Sequence, residues 1–267
     1  MNPMTKTQSK DGTPIAFEKS GKGPAVVLVD GALCYREFGP SRGLARLLSD
    51  KYTVYIYDRR GRGNSGDTAP YSIDREVEDL EAVIKESGGT ASVYGISSGA
   101  ALALEAALRS PSIEKLALYE APFIIDDTRT PLPDDYLENL NRLITIGNRS
   151  GAVKQFMKAV QVPAFIIALM PMMPAWKKLK AVAHTLPYDM AFVFDYQKGK
   201  PLPPERWNSL KIPVMVMGGS KSPAWMRNSV RSLAGIIPGA QLLMLDGQTH
   251  AVKPEALAPE LLKFFAG

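Results

Sequence analysis

Residues Gly95-Ile96-Ser97-Ser98-Gly99 spell the pattern G-x-S-x-G. A serine placed on a sharp turn between a strand and a helix must adopt a strained backbone. Glycines two residues to either side let the strand and helix approach closely without a Cβ clash. Such a turn exposes Ser97 as a nucleophile for acyl transfer. It also aims the helix N-terminus, with its free N–H groups and partial positive charge, at any oxyanion formed there. The turn puts the central residue at its tip, so the hydroxyl of Ser98 is the weaker nucleophile candidate and its backbone N–H is better suited as an oxyanion donor. A seryl nucleophile needs a base, and the chain holds two histidines, His184 and His250. With these and one cysteine, Cys34, no cluster has metal-ligand spacing, and no metal is implied. Alone, the five residues also fit a glycine-rich structural turn, so their context matters.

That context is an alternation of short apolar runs with helical patterns, the signature of a mainly parallel sheet covered by helices on both faces. AVVLVDG (residues 25–31) and YTVYIYD (52–58) read as strands. Ile73, Val77, Leu80 and Ile84 fall at helical spacing, with Ser72 available as N-cap and Gly88-Gly89 as the stop. A strand ASVYG precedes Ser97, and a helix GAALALEAALRS and a strand EKLALYEAP follow it. After Pro122 the alternation lapses for about eighty residues, then resumes at IPVMVMGG, MRNSVRSLAGII, AQLLMLDG and PEALAPELLKFFA. The expected organisation is an α/β core formed by residues 1–122 and 201–267, with residues 123–200 inserted as a helical cap. The first segments read as an antiparallel hairpin turned at Asp11-Gly12 that finishes one sheet edge.

With these elements in place, the whole chain resembles the α/β-hydrolase superfamily. The resemblance rests on the elbow GISSG, the post-strand turn DRRGRGNSGD (residues 58–67), the loop VDGA (29–32) and the terminal DGQTHAVKPE (246–255), in the family's order. It implies an α/β-hydrolase fold with a helical cap, His250 as the catalytic imidazole, and the backbone N–H of Ala32 as an oxyanion donor beside that of Ser98. Members usually carry His-Gly in the oxyanion loop, where this chain has Asp30-Gly31. A backbone donor survives that change, and Asp30 reads as structural. His184, in the cap segment, reads as a packing or surface residue.

A Ser-His pair needs a third group to fix the imidazole tautomer. Most relatives place an Asp just after the strand corresponding to PVMVMGG, where this chain has Lys221 and Ser222. Glu120, at the C-terminal tip of LALYE, stands at the adjacent strand end. Haloalkane dehalogenases resemble this arrangement in the acid only, because their nucleophile is Asp. Glu120 is therefore the expected acid; Asp126, Asp127, Asp246 and no carboxylate at all remain open alternatives.

The remaining composition narrows the function class. Net charge is +5, from 32 basic and 27 acidic residues, but the charges are scattered. The short runs KKLK and KGK lack interleaved aromatics, which argues for a solvated face and against nucleic-acid binding. The run VPAFIIALMPMMPAW (162–176) is shorter than the ~20 residues of a membrane helix and is broken by prolines. Its Phe165, Ile166, Ile167, Leu169, Met170, Met172, Met173 and Trp176 are expected either to form a pliable apolar substrate pocket or to pack the cap on the core. A single cysteine and an N-terminus without a long apolar stretch fit a reducing compartment, so the cytoplasm is the expectation. No organic cofactor is implied, since no phosphate loop or dinucleotide fingerprint occurs. Homo-oligomerisation stays open. The expected activity is that of a serine hydrolase (carboxylesterase-like) on a small or medium hydrophobic ester, thioester or lactone. A cofactor-free lyase or cyclase, and a ligand-binding receptor-like protein with a degenerate triad, are the alternatives.

Overall fold

The structure, a computed structural model, describes residues 5–267. The first four residues of the expected core segment, which also begin the N-terminus read as lacking a leader, lie outside the described residues. In chain order the elements are β1 (Thr5–Gln8), β2 (Pro14–Ser20), β3 (Ala25–Val29), α1 (Ser41–Leu48), β4 (Thr53–Tyr57), α2 (Ile73–Lys85), β5 (Ala91–Ile96), α3 (Ser98–Arg109) and β6 (Ile113–Tyr119). Five α-helices follow: α4 (Tyr136–Thr145), α5 (Arg149–Ala159), α6 (Ala164–Leu169), α7 (Ala175–Ala181) and α8 (Leu186–Val193). The chain ends with β7 (Val214–Gly219), α9 (Ala224–Ile236), β8 (Gln241–Leu245) and α10 (Pro254–Ala266).

The strands form one sheet of order β1-β2-β4-β3-β5-β6-β7-β8. Pairs β1/β2 and β2/β4 are antiparallel and all others parallel. The inner strands β3, β4, β5 and β7 are apolar at nearly every position because both of their faces are covered, and period-2 alternation sends successive side chains to opposite layers. Val27, Val29, Val93, Leu116, Leu118 and Val216 pack with α2, α3 and α9, whereas Val26, Leu28, Tyr94, Ala117, Met215 and Met217 pack with α1 and α10.

Local signals account for several boundaries. Ser72 caps α2 by accepting the Arg75 N–H, and Gly88 and Gly89 end the segment at φ 108° and 105°. The Asp11 carboxylate accepts the Thr13 N–H beside Gly12 at φ 81°, which closes the β1/β2 hairpin.

In the apolar run at 162–176 the packing reading holds for Met170 and Trp176, which join the main core with Ile167 against it, and fails for the rest. Phe165, Leu169, Met172 and Met173 are 68%, 55%, 83% and 51% exposed. Only Met170 and Trp176 are buried in it. The two interior prolines at 171 and 174 break the run into the short α6, a 3₁₀ turn and α7. These pieces are too short to turn one continuous apolar face inward.

Candidate active site

β5 ends at Ile96 and α3 begins at Ser98, leaving Ser97 alone at the turn with φ 59° and ψ −129°. A non-glycine residue pays of order 1–3 kcal/mol for such a backbone, which persists only where surroundings hold it. Here the Ser97 N–H donates to the Tyr119 carbonyl at 2.9 Å, tying the turn to β6. A Cβ on Gly95 would lie 2.4 Å from the Gly99 carbonyl oxygen, and one on Gly99 would lie 2.3 Å from that of Val29. Both glycines are therefore required for the strand and helix to meet. The loop after β3 also comes close, since a Cβ on Gly31 would lie 2.9 Å from the Ser97 Cβ.

His250 lies in the loop between β8 and α10. Its Nδ1 stands 2.8 Å from Oε2 of Glu120, the residue that follows β6. Glu120 is fully buried and, like Ser97, has a positive φ, 48°. Its other oxygen, Oε1, accepts the Gly219 N–H at 2.7 Å and the Ser222 hydroxyl at 2.6 Å. The turn after β7 thus supplies no carboxylate. It supplies two donors that hold a carboxylate projecting from the neighbouring strand. With Nδ1 facing Glu120, Nε2 is the ring nitrogen left free, and His250 and Ser97 both line one cavity.

A model of the Alpha/beta hydrolase family matches residues 26–260. The chain belongs to the alpha/beta hydrolase family. An alpha/beta hydrolase from Sphaerobacter thermophilus DSM 20745 is 48% identical, with TM-score 0.90 over 98% of this chain and 100% of that chain. The enol-lactonase from Burkholderia xenovorans LB400 shares the fold at 19% identity and TM-score 0.72, over 99% of this chain and 100% of that one. Polyketide synthase ThaQ of Burkholderia thailandensis is 26% identical over 92% of this chain, which spans 12% of that protein's length.

The other carboxylates considered for this alpha/beta hydrolase are engaged elsewhere or stand apart. Asp126 accepts from Thr128 and Asn228, Asp246 accepts from Ser220, and neither they nor Asp127 hydrogen-bonds the His250 ring. His184 pairs with Asp67 at 3.5 Å and does not line the cavity. Among the proposed oxyanion donors, Ser98 opens α3, where an amide has no intrahelical acceptor, and the Ala32 N–H has no protein acceptor among the described residues.

Sequence reasoning missed the ionic layer that fixes these donors. Asp189 of α8 is 1% exposed and accepts Arg59 Nη1 at 2.7 Å, Arg62 Nη2 at 2.8 Å and the Ser98 hydroxyl at 2.7 Å. Burial pushes its carboxyl up, but the Arg62 and Arg59 guanidiniums more than offset this and hold it below the usual carboxylate range. Arg62 also donates to the Gly31 carbonyl at 2.8 Å, and Arg59 forms a two-pronged pair with Glu76, at 2.7 Å on each prong. One carboxylate from the inserted helices therefore ties together the β4–α2 turn, the loop carrying Ala32 and the residue after Ser97. The only sequence hint was the density of arginine in the turn at 58–67, whose Arg59, Arg60 and Arg62 are all buried.

Beneath Ala32, Asp30 is buried and its Oδ1 accepts the Ser41 hydroxyl at 2.6 Å. Burial pushes its carboxyl up to about 6, against the lowering effects of Ser41, Arg62 and Arg59. Cys34 faces the cavity, but burial and then the Asp30 charge push its thiol up to about 12, so at neutral pH it carries no thiolate.

The cavity itself measures about 640 Å³, within the usual range for small-molecule sites. Its apolar wall comes from Phe156 and Met157 of α5, Met190 of α8, Val193, and Trp225 and Met226 of α9. The expected run at 165–176 contributes nothing to it. The preceding helix lies over the site instead, a choice of helix face that periodicity could not reveal.

Proposed function

We propose that this protein is a serine hydrolase acting on a small or medium, largely apolar ester, thioester or lactone, and that the helices between β6 and β7 act as a cap over the site. The observation that carries this reading is the 2.8 Å contact between His250 Nδ1 and a fully buried Glu120, on the cavity that Ser97 also lines. Ser97 Oγ attacks the substrate carbonyl carbon while its proton passes to His250 Nε2. The carbonyl π pair moves onto oxygen, where the backbone N–H groups of Ala32 and Ser98 receive it. The imidazolium is held by Glu120, which keeps its charge. Collapse re-forms the carbonyl, breaks the bond to the leaving oxygen or sulfur, and delivers the His250 proton to that atom. Water activated by His250 then attacks the acyl-enzyme in the same sequence and frees Ser97. The uncharged Cys34 thiol takes no part.

The size of the cavity and its apolar wall support a medium acyl or alcohol group, and Met157, Met190 and Met226 can adapt to its shape. The test is covalent labelling with a fluorophosphonate, followed by peptide mapping, together with hydrolysis of p-nitrophenyl esters of graded chain length. Labelling at Ser97, and loss of both labelling and turnover in Ser97→Ala, is the expected result. Unchanged turnover in Ser97→Ala would overturn the mechanism, and turnover without Ser97 labelling would favour a proton-transfer reaction run by His250 alone.

A further inference from the structure

Arg129, in the segment between β6 and α4, lines the cavity that holds Ser97 and His250, yet is only 7% exposed. Among the described residues no carboxylate lies within 4.0 Å of it, whereas the other buried arginines, Arg36, Arg59, Arg60 and Arg62, are each paired. Its guanidinium lies over the Trp225 ring, 4.1 Å from the centroid, and Nη2 donates to the Ala159 carbonyl. Its remaining N–H groups have no acceptor among the described residues. The one carboxylate among the residues lining the cavity, Asp189, is already neutralised by Arg59 and Arg62.

A buried guanidinium without a carboxylate partner is costly, and burial lowers its proton affinity here, an effect that the neighbouring Tyr136 opposes only in part. A second donor waits on the same wall. Tyr136 is 5% exposed and its hydroxyl is buried without a hydrogen-bond partner. Burial raises its pKa further, so it stays a protonated donor at any ordinary pH. A planar, bidentate donor and an unpartnered hydroxyl on the wall of one mostly apolar cavity match a carboxylate and not a neutral chain end.

We infer that the natural substrate carries a carboxylate remote from the scissile bond, held by Arg129 and Tyr136 on the wall of this mostly apolar cavity. This names the substrate class for the hydrolase reading and rests on it for the kinetic consequences only. The carboxylate-binding site can be tested separately. A bound anion would supply the missing counter-ion, and the apolar wall would take the chain joining it to the reacting carbonyl. Since discrimination against an analogue that leaves buried donors unpaired is large, the preference should be easy to read.

Isothermal titration of wild type with linear dicarboxylates from succinate to suberate, each against the monocarboxylate of equal length, tests the site without turnover. The pairing removes any contribution from a product-like carboxylate at the oxyanion donors. At one chain length at least, the dicarboxylate should bind ten or more times tighter. The ratio should fall below about three in Arg129→Gln, survive in part in Arg129→Lys and narrow in Tyr136→Phe, with circular dichroism checking that each variant folds. No preference at any length in wild type, or a ratio unchanged in a folded Arg129→Gln, would overturn the proposal. If Arg129→Gln does not fold, an unchanged ratio in Tyr136→Phe together with no loss in Arg129→Lys would overturn it. Mono-p-nitrophenyl esters of the same diacids, against neutral p-nitrophenyl esters, supply the kinetic arm. Tight dicarboxylate binding without hydrolysis of either ester would retire the hydrolase reading and leave the site standing. Hydrolysis with no carboxylate preference would do the reverse.

Discussion

Glu120→Gln is the most direct probe of the proposed Ser97–His250–Glu120 relay. Gln is nearly isosteric, and its side-chain oxygen can go on accepting from the Gly219 N–H and the Ser222 hydroxyl, the two donors on Oε1. Its amide nitrogen then occupies the place of Oε2, 2.8 Å from His250 Nδ1, and offers hydrogens where wild type offers a lone pair. The imidazole must answer as an acceptor at Nδ1, which puts its hydrogen on Nε2. In that tautomer it cannot take the Ser97 proton, and the imidazolium also loses its counter-charge. Losing both effects costs about 10³ to 10⁴ in kcat, or roughly 4–5.5 kcal/mol of transition-state stabilisation. Because the hydrogen bonds on the buried oxygen persist, the melting temperature should move by only a few degrees. Stopped-flow hydrolysis of a p-nitrophenyl ester at saturating substrate, normalised by fluorophosphonate titration of Ser97, measures the effect. A Glu120→Gln enzyme within tenfold of wild type in kcat would refute the argument, and Ser222→Ala should stay within that tenfold, since it removes a support of Glu120 and leaves the carboxylate itself.

Asp189→Asn should be strongly destabilising, by about 3–5 kcal/mol, because it strips the buried Arg62 of its one carboxylate partner and leaves Arg59 with Glu76 alone; urea unfolding reads this, and a change under 1 kcal/mol would show that the layer is not structural. Asp30 adds a pH dependence of defined sign. Its folded pKa, about 6, exceeds that of an unfolded aspartate, so the native state holds the extra proton between about pH 4 and 6 and stability falls as pH rises through that window. The full penalty, on the order of 3 kcal/mol, is present above about pH 7. Asp30→Asn cannot titrate there, so its stability relative to wild type should improve from pH 4.5 to pH 7.5, and parallel curves would contradict the assignment. Cys34 should resist iodoacetamide at pH 8 on the native protein and react on unfolding, which mass spectrometry would show.

The sequence on its own determined the features that arise from neighbours along the chain. Ser97 was legible because strand, glycine-flanked turn and helix lie within one short segment, and steric rules leave such a turn few conformations. The alternation of strands and helices specified the layered sheet because burial on both faces demands near-continuous apolar strands. Glu120 was legible as a candidate because parallel strand order puts the tips of β6 and β7 side by side. The structure adds that Ser222, where the usual acid is missing, donates a hydrogen bond to Glu120. Tertiary packing alone decided the rest. Asp189 meets Ser98 across 91 residues and Arg62 across 127, and nothing in a helical repeat tells which face of α8 will be buried or against what. The same holds for the cavity wall, where α5 and α8 displaced the more apolar run at 162–176. Helix propensity and hydropathy act locally. Which helix closes over a site depends on crossing geometry and on where two prolines interrupt a continuous face. No sequence pattern singles out Arg129; its burial without a carboxylate partner, on which the proposed ligand rests, is a product of packing alone.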